Sequence, residues 1–176
     1  DDVGASGTGT ASFTVAPSPL HLVSVLLGCS NSRCLQVTTN ALLDFDITST
    51  NPVFAANPTS FRTASGQNVA VSFTPAAIGP TSTILTVTGS TRGNPVQSHN
   101  VTADGTGFDL ALNPATLDFG PIPVGVASAP RTVAFSTTPT TQTGFAISAV
   151  SSNRAFSASV SPGGPVSITF TPSAEG

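Results

Sequence analysis

One phrase of nine residues occurs twice in this chain. VSFTPAAIG fills residues 71–79 and ITFTPSAEG fills residues 168–176, so Phe73-Thr74-Pro75 and Phe170-Thr171-Pro172 stand 97 positions apart. PSPLHL (17–22) and PATLDF (114–119) keep the same spacing of 97. NPVFAA (51–56) and NRAFSA (153–158) match at 102, so the drift falls between the matched segments. Drift of that kind marks loops, which tolerate insertions where strands do not. A third match sets VGASGTG (3–9) against VTADGTG (101–107), at a spacing of 98. Self-similarity at one period is the signature of a repeat architecture. It divides the chain into a tail of a preceding repeat or linker (1–10), one complete repeat (11–107) and a second copy (108–176). After Gly79 the first copy runs on through residues 80–107, which hold two strand-like segments; after Gly176 the second has none. The expectation is a window on a longer array, with the second copy lacking its last two strands.

Within the complete copy, short strand-like segments recur about every ten residues: ASFTVA, HLVSVLL, CLQVTT, LDFDITST, NVAVSFT, STILTVTG and VQSHNVTA. Val69, Val71 and Phe73 alternate with Ala70 and Ser72, the period-two pattern of a half-buried strand. In STILTVTG, Leu85 and Val87 fall on one face, with Ile84, Thr86 and Thr88 on the other. Pro58, Pro75, Gly79, Pro80, Gly89, Gly93 and Pro95 lie mostly between the segments, where they break pairing. No stretch of ten or more residues has helical periodicity. About seven short strands in roughly 97 residues predicts an all-β protein of tandem immunoglobulin-like β-sandwiches, the second incomplete.

Composition narrows the function classes. Hydrophobic residues make up 39% of the chain, enough for a core, yet there is no Trp, Tyr or Met, so eleven Phe carry the aromatic packing. Charged residues are only 7%, against roughly 25% in ordinary globular proteins. Solubility therefore rests on Ser, Thr, Asn and Gly. Five Arg, no Lys and a net charge of −3 exclude the row of cations that nucleic acid demands. No run of 18 apolar residues is present, so no membrane-inserting helix is expected within the segment. LHLVSVLLG (20–28) is too short for a membrane span, and it lacks the basic flank and cleavage site of a signal peptide.

The stretch LNPATLDFGPIPVGVASAPRTVAFS (112–136), followed by FTP closing a strand and GTG ending a repeat, resembles ASH-type domains (abnormal spindle, hydin). Such domains also occur in bacterial choice-of-anchor D surface proteins. The first copy departs from that pattern: where the second has DFGPIPVG, it has HLVSVLLGCSNSRC, a cysteine loop after an altered turn. The resemblance implies an immunoglobulin-like fold related to the major sperm protein, a scaffold or array role, no catalysis, and an extracellular or cell-surface location in the bacterial members.

Few residues offer site chemistry. Cys29 and Cys34 are the only cysteines, and with only His21 and His99 to help they fall short of a closed zinc site. In the oxidising location that the resemblance implies, they are expected to form a disulfide closing a short loop, stabilising at the low end of about 2–4 kcal/mol. Asp44 and Asp46 flank Phe45 on one strand face, without the further oxygen ligands calcium requires. Neither GxSxG nor a spaced Ser-His-Asp set occurs. No catalytic, metal or cofactor site is expected. Sugar-stacking Trp and Tyr are missing, and without Lys no intrachain isopeptide bond can form. Asn100-Val101-Thr102 matches a glycosylation sequon, a pattern short enough to arise by chance. The GTG triplets lack the Lys and helix of a phosphate loop and read as turns between domains.

Two functions follow as expectations. One is a structural module of a secreted or surface repeat protein, acting as stalk, fibre or spacer with neighbouring repeats or subunits as partners. The other is a protein-binding or adhesion module that recognises a surface partner through loops or by strand addition at an open sheet edge. The strands missing from the second copy either lie outside the segment or are donated by a neighbour.

Overall fold

A computed structural model describes residues 10–140, 146–161 and 164–174. Most of the expected tail at 1–10 lies outside the described residues. The chain divides into two compact units, Asp1–Phe108 and Asp109–Gly176.

The first unit contains β1 (Phe13–Ala16), β2 (Leu20–His21), β3 (Val25–Leu26), β4 (Asn31–Thr39), β5 (Leu43–Ser49), β6 (Phe54–Asn57), β7 (Ser60–Thr63), β8 (Gly66–Phe73) and β9 (Gly79–Thr91). It also holds most of β10 (Asn94–Asn113), whose residues 109–113 belong to the second unit. One layer has the order β1-β4-β8-β6. The other has the order β10-β9-β5-β7, with β2 and β3 lying parallel along β10. All other pairs in the unit are antiparallel. This is an all-β sandwich of immunoglobulin-like kind, and the described residues contain no helix.

The alternation in the sequence builds the core. Val69, Val71 and Phe73 on β8 and Leu35 and Val37 on β4 are fully buried from one layer. Leu43 and Phe45 on β5, Leu85 and Val87 on β9, and Val101 and Ala103 on β10 meet them from the other. Each such Val, Leu or Phe stabilises by about 1.5–3 kcal/mol relative to exposure. Phe13 meets Phe45 edge-on (centroids 5.0 Å, 87°) and Phe54 stacks on Phe73 (4.7 Å, 22°). A two-residue turn at Arg92-Gly93 joins β9 to β10. Both residues have positive φ (50° and 80°), the geometry that matches the twist of a tight hairpin.

The first unit has ten strands where the sequence predicts seven. HLVSVLL forms two dipeptide strands, β2 and β3, because it touches β10 in two short places only. The other additions, β6 and β7, are four residues each and lie on either side of Pro58. The second correction concerns GTG at 105–107. It does not form a turn between domains but lies inside β10, paired with Gly79, Pro80 and Thr81. A Cβ on Gly105 would lie 2.6 Å from the Phe73 ring, and one on Gly107 would lie 2.2 Å from the Ala77 carbonyl oxygen. The glycines are there so that β10 can cross directly over the FTP phrase.

The second unit contains the end of β10 with β11 (Arg131–Thr138), β12 (Phe156–Val160) and β13 (Val166–Phe170). They form one antiparallel layer in the order β10-β11-β13-β12. It reproduces β1-β4-β8-β6 strand for strand. Leu112 faces Phe135 as Val15 faces Val37, and Phe156 faces Phe170 as Phe54 faces Phe73. Among the described residues this unit has no counterpart of β9 and no second layer, and 146–155 and 114–130 form no strand. In the first unit β5 joins the body of its sheet through β9, while β2 and β3 pair only with β10.

Candidate interaction surface

A small hydrogen-bonded turn positions the aromatic pair of each unit. In the first, the Ser49 hydroxyl donates to the Asn51 carbonyl (2.8 Å) and Val53 N–H donates to the Asn51 side-chain oxygen (3.2 Å). In the second, the Ser151 hydroxyl donates to the Asn153 carbonyl (2.7 Å) and Ala155 N–H donates to the Asn153 side chain (2.9 Å). Ser and Asn favour such turns because their short polar side chains bond the backbone two residues away. The turn delivers Phe54 onto Phe73 and Phe156 onto Phe170, each pair with centroids 4.7 Å apart.

The units part company above these rings. Phe73 and Val71 are fully buried and Phe54 nearly so, whereas Phe170, Ile168 and Phe156 are only half-buried. Leu112, on the same layer, is 54% exposed. An open apolar groove of about 470 Å³ lies over this layer, lined among others by Leu112, Phe119, Val133, Ile147, Phe156 and Ile168. Phe119 reaches toward both rings of the stacked pair, at 5.9 Å from each. In the first unit the corresponding layer is covered by β5, β9 and β10. The described lining of the groove is apolar apart from Ser148 and carries no charged side chain.

The residues singled out by sequence lie in the first unit, away from any common site. Cys29 and Cys34 are both exposed free thiols, so the expected bridge is not formed in the structure. Cys29 closes a turn through its N–H to the Leu26 carbonyl (2.9 Å), and Cys34 sits in β4 opposite Ala70. Asp44 and Asp46 point away from the core, as their alternation with Phe45 predicts; Asp44 lies 3.5 Å from Arg62 across the β5–β7 pair. His21 pairs with Asp104 at the surface (Nδ1–Oδ1 2.6 Å), and His99 bonds the Phe13 carbonyl (3.0 Å). Asn100 accepts a hydrogen bond from the Thr86 hydroxyl (3.0 Å). Among the described residues no group of three or more His, Cys, Asp or Glu side chains comes together. No described helix is long and apolar enough to cross a membrane. The groove has no motif of its own in the sequence.

No protein-family model matches the chain, and no curated protein matches it either. Solved structures do. The human CEP192 ASH/PapD-like domain 7 is similar at 12% identity, covering 61% of this chain and 96% of that domain, with a TM-score of 0.48. SSP-19 of Caenorhabditis elegans, described as an MSP-domain protein-like family member, is similar at 14% identity over 53% of this chain and 98% of its own, TM-score 0.44. A Porphyromonas gingivalis W83 protein of unknown function is similar at 12% identity over 89% of this chain and 81% of its own, TM-score 0.45. Each is a distant likeness, at 12–14% identity and a TM-score below 0.5. It says nothing of activity or partner.

Proposed function

We infer that this chain is a non-catalytic structural module of a secreted or surface-displayed repeat protein, serving as stalk, fibre or spacer. The observation that carries this reading is the repeated layer. The same four-strand order, Ser-Asn turn and stacked Phe pair occur in both units at spacings of 97 to 102 residues. A chain that repeats a scaffold element invests in structure. The extracellular setting is supported by the Ser/Thr-rich outer faces and the absence of Lys, which removes a common protease target. A Cys29–Cys34 bridge belongs to that same oxidising setting. Small-angle scattering on proteins with two, three and four complete repeats tests the reading. The maximum dimension should grow in step with repeat number; a compact globule at four repeats would contradict it.

A further inference from the structure

We propose that the first unit bears tension along the chain: residues 13–27 and β10 form a clamp that a pull on the two ends of the unit loads in shear. The inference rests on the stalk reading and adds to it the path of the load and the residues that hold it.

The path follows from strand direction. The chain enters the unit through β1 and leaves it through β10, which continues beyond Phe108 as Asp109–Asn113. Phe13 is bonded by Gln97 and His99, Leu20-His21 pair with Ala103-Asp104, and Val25-Leu26 pair with Gly107-Phe108. Residues 13 to 26 therefore advance in step with β10, toward its exit from the unit. The run from Gln97 to Phe108 spans about 35 Å at the usual rise of a strand. A pull on the chain before Phe13 and after Phe108 drags the two segments in opposite directions along their own axes. The bonds between them then carry the load together, instead of opening one after another as in a hairpin pulled apart at its ends.

The first anchor is made by side chains. β1 belongs to the opposite layer and has no ladder with β10. Instead, Phe13 N–H donates to the Gln97 side-chain oxygen (3.2 Å), and His99 Nε2–H donates to the Phe13 carbonyl (3.0 Å). The Phe13 ring meets the His99 ring edge-on (centroids 4.7 Å) and lies so close to Gly89 that a Cβ there would stand 2.8 Å from it.

Two further anchors follow along β10. Leu22 N–H donates to the Asp104 carbonyl and Leu27 N–H to the Phe108 carbonyl, both at 2.8 Å, and His21 pairs with the Asp104 carboxylate (2.6 Å). Strands of two residues are shorter than sheets ordinarily use. As anchors spaced along one axis, β2 and β3 resist sliding as a set with Phe13. Phe13, Leu20, Leu22 and Val25 are all buried, so sliding also draws apolar side chains out of the core.

Single-molecule force spectroscopy on the full 176-residue protein, held at its two ends, tests the clamp. Release of residues 13–108 should appear as one step of about 30 nm in contour length, at ~3.4 Å per residue less the folded span. Leu27→Pro removes the bond to Phe108 and His99→Ala the bond to Phe13. Each should unfold about three- to tenfold faster at constant force, the contribution of one hydrogen bond to the barrier. Asp104→Ala alters an exposed pair and keeps the fold should the other two lose it; it should unfold about twofold faster under load. Val69→Ala on β8, outside the clamp, should lower the denaturation midpoint more than Asp104→Ala does. Its rate under load should nevertheless stay within about a factor of two of the unsubstituted protein, because β8 is still packed when the clamp gives way. Rates under load that follow equilibrium stability wherever the substitution lies, or release of residues 13–108 in a series of small steps, would overturn the proposal. The scattering test of the stalk reading measures extension and not resistance to load, so either proposal can fail without the other.

Discussion

At the scale of single residues, one chemical identity has two consequences depending on what lies above it. Phe73 and Phe170 belong to the same phrase and stack on equivalent partners at the same distance. Only Phe73 has a strand over its other face. Phe73→Ala should therefore cost about 3–5 kcal/mol, as for a large side chain removed from a closed core. Phe170→Ala should cost about 1–2 kcal/mol, because only part of its surface is withdrawn from water. Equilibrium denaturation of the two variants checks the difference, and equal losses would count against it. The cysteines give a second prediction at this scale. Both thiols are exposed and stand five positions apart, with Asn31–Arg33 between them in β4, so a bridge requires the start of β4 to shift; protein recovered from an oxidising compartment should show no free thiol until it is reduced. Persistent labelling of Cys29 and Cys34 without reductant would remove the bridge from the account.

Among the strands, the decisive one is β9. It pairs with β5 on one side and β10 on the other, placing Leu85 and Val87 at the centre of the second layer. Leu85→Ala should destabilise the first unit by about 2–5 kcal/mol and leave the unfolding of the second unchanged, measured by amide signals assigned to each unit. What the sequence shows plainly at this scale is local. Alternation in Val69, Val71 and Phe73, and in Leu85 and Val87, names the inward faces correctly, because period two is a property of the strand itself. What it hides depends on distant partners. The apolar run at 20–27 looks like one strand, yet its pairing with β10 is limited to two dipeptides. Likewise β6 and β7 are defined by β8 and β5, with Phe54 the one fully buried residue in the pair. The glycines of β10 read as turn residues, because nothing local reveals that the Phe73 ring lies beneath them. The open groove was not legible in the sequence; its border and its stacked Phe pair needed the fold.

For the whole molecule, the central claim is that two units built on the same layer differ in closure. The first has two layers and a continuous core of buried Phe, Leu and Val; the second has one described layer with a half-exposed apolar face. Backbone hydrogen bonds opened only by global unfolding belong to closed cores, and those of an uncovered sheet open locally at lower free energy. Native-state hydrogen exchange on the intact 176-residue protein measures this directly. The amides of Leu35, Val37, Val69 and Val71 should exchange at least about a hundredfold more slowly than those of Val133, Val166 and Ile168. Matched protection in the two sets would contradict the account, since it would mean that the second unit closes its core without the hairpin that closes the first.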